Sequence, residues 1–254
     1  MRKPKLLISV YLPSEVSDTI EGGADIVDIK DPLSGSLGLP RIGVVKEVIR
    51  LVNGLRETSV AIGDIRRYAP EIGYVATTID GLVNYIKVGF AVRNYEEASQ
   101  IAREVMENSS KSRVIFVGYA DYMKWGVIDP LDLIDIATSS KAHGVMIDTL
   151  SKNGLSTFDI LSKNYLKEFV EKAKKNDLLT AIAGGLKKDH IRDAVLLGFD
   201  VIGFRGAVCV GGRGGHVSRN LVYELRRIID DHFQLLTTIG NLALNSEEGN
   251  LSTK

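Results

Sequence analysis

Eight short runs of aliphatic and β-branched residues recur along this chain, and most are followed by a segment of helical period. The runs are Leu6–Val10, Ile26–Lys30, Ser59–Ile62, Tyr85–Gly89, Arg113–Gly118, Gly144–Asp148, Leu179–Ala183 and Val201–Phe204. They are continuously apolar rather than alternating, which a strand requires when other layers cover both of its faces. The segments between them carry apolar stripes. Asn94 with Glu97 makes a capping-box-like opening, and Ala98, Ile101, Ala102 and Val105 then fall on one helical face. Ile42, Val45, Ile49 and Val52 form a second stripe, Leu166, Phe169, Val170 and Ala173 a third, and Leu221, Val222, Leu225, Ile228 and Ile229 a fourth behind Ser218. Between Gly63 and Asn84, Pro70, Gly73 and Gly81 interrupt any long helix, so a loop with a short helix is expected there. No Pro/Gly/Ser linker divides the 254 residues, and the pattern predicts an α/β chain folded as a single (βα)8 TIM barrel. The barrel is expected over residues 1–233. Residues 234–254 read as a C-terminal tail: Leu235, Leu236, Ile239, Leu242 and Leu244 offer an apolar face for docking or for a second copy, and the closing NSEEGNLSTK has little to bury and is expected to be partly disordered.

Composition narrows the function. Thirty-two Lys and Arg against 32 Asp and Glu leave no overall field to draw the chain onto nucleic acid or an anionic membrane, so a small-molecule partner is expected. A single cysteine, Cys209, cannot build a disulfide framework, and a cytoplasmic location follows as the expectation. The N-terminal apolar run ends at Tyr11–Pro13, too soon for a signal segment or a membrane span. His143, His190, His216 and His232 lie in separate segments without paired spacing, so no metal site is expected.

In a (βα)8 barrel the reacting groups sit at the C-terminal ends of the strands. Here those ends are polar. The second run finishes Asp28-Ile29-Lys30, the fourth carries Lys87, and the sixth finishes at Asp148 with Lys152 four positions later. Alternation puts Asp28 and Lys30 on one side of their strand. If that side faces the interior, desolvation lowers the lysine pKa and makes a Schiff-base nucleophile, or the two side chains form a structural pair; spacing alone leaves both readings open. Lys87, inside an apolar strand, reads as a proton carrier or as a point charge for a substrate phosphate. Asp148 would hold a lysine or relay a proton, and Lys152 is a third cation of the site or a solvated loop residue. Tyr119 and Asp121, beyond the fifth run, are within reach of the same mouth. Trp125 in the same loop reads as a lid contact or a core residue, and Cys209 as packing.

The glycines argue for an anion site independently. The seventh run ends Ala183-Gly184-Gly185 and the eighth ends Phe204-Arg205-Gly206, the place where barrels hold phosphate. Gly184, Gly185 and Gly206 would let the backbone approach, and Arg205 would add a planar fork. The later GGRGG segment reads equally as a flexible loop.

The blocks EGGADIVDIKDPLSGSLG, YIKVGF, VGYAD, GVMIDTLSKNG and FRGAVCVGG together resemble the archaeal (5-formylfuran-3-yl)methyl phosphate synthases of methanofuran biosynthesis, from about the first strand to the last helix. The resemblance implies a lyase that condenses two glyceraldehyde 3-phosphate molecules through a lysine Schiff base, with loss of phosphate and water. It implies Lys30 as the Schiff-base lysine and Lys87 as the proton acceptor, carries the family's acidic residue onto Asp148 and a further lysine onto Lys152, and implies no metal or organic cofactor. The chain departs from the pattern in its longer SVYLPSEV opening, in DPLSGSLG, which lacks the basic residue often found after the proline, and in its tail. A class I aldolase or isomerase on another sugar phosphate, and a non-catalytic phosphate-binding barrel, remain as alternatives, and association of outer helices into a homo-oligomer is a weaker expectation.

Overall fold

Each apolar run becomes a strand, and alternation along the strands sorts the side chains into two layers. The computed structural model describes the backbone of residues 2–251 and the side chains of residues 2–238. Strands β1 (Lys5–Val10), β2 (Ile26–Ile29), β3 (Glu57–Ile65), β4 (Tyr85–Phe90), β5 (Arg113–Tyr119), β6 (Gly144–Asp148), β7 (Leu179–Ile182) and β8 (Val201–Phe204) pair in parallel, in that order, and β8 returns to β1 to close a barrel. Leu7, Ile26, Ala61, Tyr85, Ile115, Val117, Met146, Ala181 and Val201 fill the interior. Their alternates, among them Ile8, Val27, Ile86, Phe116, Val145 and Ile202, face the surrounding helices and form the larger core. A polar side chain at an interior position therefore has only the barrel mouth through which to meet water.

The helices are α1 (Val16–Glu21), α2 (Ile42–Val52), α3 (Glu71–Ile79), α4 (Tyr95–Glu107), α5 (Tyr122–Trp125), α6 (Pro130–Ser139), α7 (Thr157–Ile160), α8 (Lys163–Lys175), α9 (Ile191–Leu197) and α10 (Arg219–Leu251). Asn94 caps α4 by accepting from the Glu97 N–H, and the expected stripe Ala98, Ile101, Ala102 and Val105 is fully buried. In α2 the stripe is rotated slightly: Val48 is buried with Val45 and Val52, whereas Ile42, at the first turn, is exposed. The third connection is irregular, as its Pro and Gly residues require. The β3–β4 register slips between Ala61 and Asp64, and Pro70 opens the nine-residue α3. Gly73 is accommodated inside that helix, where α4 packs close enough that a Cβ would lie 2.2 Å from a Glu104 carboxylate oxygen and would require that side chain to move.

The sequence reading did not anticipate the single turns α5 and α7, nor that the GGRGG segment is the tip of a hairpin, β9 (Cys209–Val210) against β10 (His216–Val217). At the C-terminus, α10 runs unbroken through position 233, with Phe233 and Leu236 packed against the core and Leu235 exposed. The side chains of Ile239, Leu242 and Leu244, and residues 252–254, lie outside the described residues. Among the described residues no helix is long and apolar enough to cross a membrane.

Phe116 is fully buried with its ring 4.7 Å from that of Phe90. Its replacement by Ala leaves a cavity on the helix-facing side of β5, and urea unfolding should show a loss of about 3–5 kcal/mol.

Candidate active site

The interior alternates of β2, β4 and β6 bring three of the predicted polar residues to one level below the mouth. Asp28 is fully buried, and its register neighbours are Ser9 on β1 and Ser59 on β3. Both serines donate their hydroxyls to its carboxylate, at 2.7 and 2.6 Å, and Lys87 Nζ donates to Oδ2 at 2.7 Å. Burial by itself would raise this carboxyl, but the charges of Lys87 and Lys30 and the hydrogen bonds from Lys87 and Ser59 hold it below the usual carboxylate range. Lys87 is thus held at 2.7 Å against a carboxylate whose other acceptor capacity is met by two serines.

Lys30 sits differently. It follows directly on β2, its backbone held by the Val10 carbonyl, and its side chain is only 7% exposed. Its Nζ makes no hydrogen bond among the described residues, and the nearest carboxylate oxygen is Asp148 Oδ2 at 3.8 Å. Asp28 is therefore the hydrogen-bonded partner of Lys87 rather than of Lys30: of the two readings that strand alternation left open, the structural Asp28–Lys30 pair does not form, because β4 supplies the closer cation. Burial, opposed by Asp148 and reinforced by the charges of Lys87 and Lys152, takes the Lys30 ammonium from its ordinary 10.5 down to about 8. At pH 7 roughly a tenth of the molecules then carry a neutral amine there, a few hundred-fold more than an ordinary lysine would give.

Asp148 connects this amine to the loop above it. Its Oδ1 accepts from the Thr149 N–H at 2.7 Å and from Lys152 Nζ at 2.8 Å, while the buried Oδ2 has no hydrogen-bond partner among the described residues. Burial would raise this carboxyl too, yet Lys152 and Lys30 carry it well below the usual range. Lys152 also donates to the Thr149 carbonyl at 2.6 Å and approaches its hydroxyl at 3.2 Å, so it is a tied member of the site rather than a solvated loop residue. Asp121 fixes that loop. Its carboxylate accepts from the N–H groups of Leu150 and Ser151 at 2.7 and 2.8 Å and from Trp125 Nε1 at 3.1 Å, and the indole also donates to Ser151 Oγ at 2.8 Å.

A cavity of about 410 Å³ opens over these groups. Lys30, Lys87, Asp148 and Lys152 line one part, and Gly184, Gly185, Arg205, Gly206 and Arg213 line another. The N–H groups of Gly184 and Gly185 find no backbone acceptor among the described residues. Both glycines have positive φ, +89° and +61°, and a Cβ at Gly184 would lie 2.7 Å from the Thr149 nitrogen, so the packing of the β6–α7 loop by itself demands glycine there. Among the described residues no group of three or more His, Cys, Asp and Glu is placed to hold a metal ion.

Known proteins resemble this chain in sequence and in fold. The 4-HFC-P synthase family model matches residues 6–226. The chain belongs to the 4-HFC-P synthase family. The (5-formylfuran-3-yl)methyl phosphate synthase of Methanothermobacter thermautotrophicus is 36% identical over 234 residues, spanning 89% of this chain and 98% of the relative. That of Archaeoglobus fulgidus is 36% identical over 89% of this chain and 99% of its own length. Solved structures share the fold at low identity. Thiamine phosphate pyrophosphorylase from Pyrococcus furiosus superposes with a TM-score of 0.62 at 18% identity over 91% of this chain and 97% of its own, and 3-hexulose-6-phosphate synthase from Salmonella typhimurium with 0.59 at 14% over 90% and 99%.

In this member of the 4-HFC-P synthase family, one expected group is engaged elsewhere. The Arg205 guanidinium is not an open fork. It donates to Glu15 at 2.9 Å, to the Ser9 carbonyl at 3.0 Å, to the Arg213 carbonyl at 3.1 Å and to the Gly215 carbonyl at 2.7 Å. Glu15, fully buried, also accepts from the Tyr11, Leu12 and Val217 N–H groups. Burial raises the Glu15 carboxyl, and the Arg205 and backbone hydrogen bonds more than reverse this. Sequence reasoning missed Glu15, because its partner lies 190 positions away and nothing local marks a buried acid. It also missed Asp64, which accepts from the Tyr119 hydroxyl and from the N–H groups of Ser36 and Leu37, fixing the loop that follows Lys30. A carboxylate just past a bulge in the third strand was the available signal. Cys209 is buried packing, its thiol pushed up to about 11 by burial.

Two outcomes follow. Glu15→Ala strands the buried Arg205 charge and should cost about 3–5 kcal/mol in urea unfolding. Lys152→Met removes a cation that depresses Lys30, so the pH at which Lys30 is half-modified by reductive methylation should move above about 8.

Proposed function

We propose that this chain condenses two molecules of glyceraldehyde 3-phosphate to (5-formylfuran-3-yl)methyl phosphate, a furan precursor in methanofuran biosynthesis, as a Schiff-base lyase. The observation that carries the reading is the contrast between two buried lysines in one pocket. Lys30 has no hydrogen bond and a pKa lowered to about 8, whereas Lys87 is bound to a carboxylate. Environments that differ in this way assign nucleophile and proton carrier.

Lys30 attacks the aldehyde carbon of one triose phosphate. Loss of water leaves an iminium, whose positive charge accepts the electron pair released when the neighbouring carbon loses its proton. Lys87, held by Asp28, protonates the departing oxygen and, once neutral, takes up a proton in the enolisation. Elimination of the bound triose's phosphate leaves C3 as the carbon nucleophile, which adds to the ketone carbon of the second triose phosphate once that triose has isomerised from its aldehyde; ring closure and loss of two waters give the 3-substituted furan, and hydrolysis of the imine returns Lys30. Asp148 faces the iminium as it forms, and Lys152 and Lys87 supply positive charge for the phosphate that leaves. The N–H groups of Gly184, Gly185 and Gly206 hold the phosphate of the Schiff-base triose. Arg205 serves this cradle by fastening the neighbouring loop through the Arg213 and Gly215 carbonyls.

Incubation with glyceraldehyde 3-phosphate and borohydride should add one reduced triose phosphate to Lys30, seen by peptide mapping, while the unreduced reaction develops a furan aldehyde absorbance. Lys30→Arg keeps the charge and cannot form an imine, so both signals should vanish. An adduct without furan would instead mean an aldolase or isomerase acting on a sugar phosphate, and absence of an adduct would mean a binding barrel. The neutral amine fraction increases as pH rises through the Lys30 pKa, so kcat/KM should climb with pH and level off above about 8.

A further inference from the structure

The condensation requires two phosphates in one cavity, and the backbone cradle accounts for one of them. The second must be met by a cation with donors to spare, and a count of donors on the cavity wall singles one out. Lys152 directs Nζ to Asp148, the Thr149 carbonyl and the Thr149 hydroxyl, which together match its three donors. Arg205 has Nε, both hydrogens of Nη1 and one of Nη2 engaged by Glu15 and three carbonyls, which leaves a single N–H, too few to grip a phosphate through two hydrogen bonds. Lys87 is held by Asp28, and Lys30 is consumed by the imine. Lys187 has donors to spare, but it is exposed and follows directly on the Gly184–Leu186 cradle, so its position assigns it to the first phosphate rather than the second.

Arg213 remains. It projects from the tip of the β9–β10 hairpin, and its backbone carbonyl is gripped by Arg205 Nε. Its Nη1 donates to the Pro32 carbonyl at 2.7 Å and its Nη2 to the Gly35 carbonyl at 2.6 Å, both in the loop that follows Lys30. A guanidinium has five N–H groups, so Nε and one hydrogen on each terminal nitrogen stay uncommitted among the described residues. The side chain is preset at both ends, lines the cavity and carries a planar guanidinium that two phosphate oxygens can engage through two hydrogen bonds.

Building on the proposed condensation, we infer that Arg213 binds the phosphate of the second triose phosphate, the aldol acceptor, and so selects a phosphorylated carbonyl compound for that step. The hairpin tip thereby joins the two halves of the site. Its backbone is tied to the β8 loop beside the first phosphate, and its side chain lies over the β2 loop beside Lys30.

The test separates the two reactants. With Arg213→Met, borohydride trapping of glyceraldehyde 3-phosphate on Lys30 should stay within about twofold of the parent, which also shows that the variant folds. The glyceraldehyde 3-phosphate concentration for half-maximal furan formation should rise at least about tenfold, and Arg213→Lys, which keeps the charge, should recover part of the loss. If trapping and furan formation fall together, Arg213 only holds the loops and the inference is overturned; if neither changes, Arg213 binds no substrate. Absence of furan product from the parent protein would instead overturn the proposed condensation itself.

Discussion

The Asp28–Lys87 pair is the constraint around which the rest of this site is arranged. An ionised pair inside a barrel is unfavourable unless its remaining hydrogen-bonding capacity is met. Here the barrel meets it through register: Ser9 and Ser59 stand beside Asp28 on the neighbouring strands, and each gives its hydroxyl to one carboxylate oxygen. With that pair satisfied, a second lysine can occupy the same interior under the field of an existing ammonium. Lys30 has no hydrogen-bonding partner of its own among the described residues, so desolvation and like charge act on it with Asp148, and more weakly Asp28, in opposition.

The loops above the barrel extend this inequality upward. Asp148 uses one oxygen to hold Lys152 and leaves the other facing Lys30, while Asp121 and Trp125 fix the segment from which Lys152 reaches down. On the opposite side, Glu15 neutralises Arg205, Arg205 grips the hairpin, and Arg213 reaches from the hairpin to the loop after Lys30. Asp64, bonded to Tyr119, holds the same loop from β3. Buried carboxylates thus set the positions of backbone segments, and the segments set the positions of the cations. A network of this kind resists small displacements, since moving one member leaves another buried charge without its partner.

Family membership and geometry bear on different parts of the functional reading. The family match places this chain among synthases that resemble it over nearly their whole length. The geometry supplies what a family name does not contain: which lysine is pinned, which is uncommitted, and which arginine still has donors for a substrate. The likeness to thiamine phosphate pyrophosphorylase and 3-hexulose-6-phosphate synthase extends to the barrel alone, and the reacting groups have to be argued from this chain's own residues.

Much was legible in the sequence, for a physical reason. A strand covered on both faces must be apolar at every position, so eight such runs declare a closed parallel barrel, and the polar exceptions Asp28, Lys30, Lys87 and Asp148 declare the mouth. Local signals sufficed where the contact was local, as at the Asn94 cap. Tertiary structure decided the pairings. Alternation put Asp28 and Lys30 on one side of a strand, and only closure of the barrel brought Lys87 to Asp28 and Asp148 to Lys30. Arg205 read as an anion fork from its place beside glycines, and only the fold delivered Glu15 to it from 190 positions away. Sequence determines which residues are polar in an apolar setting, because burial is a property of each position. Which charge meets which carboxylate depends on distances between strands and loops remote in the chain, and those exist only once the barrel has closed.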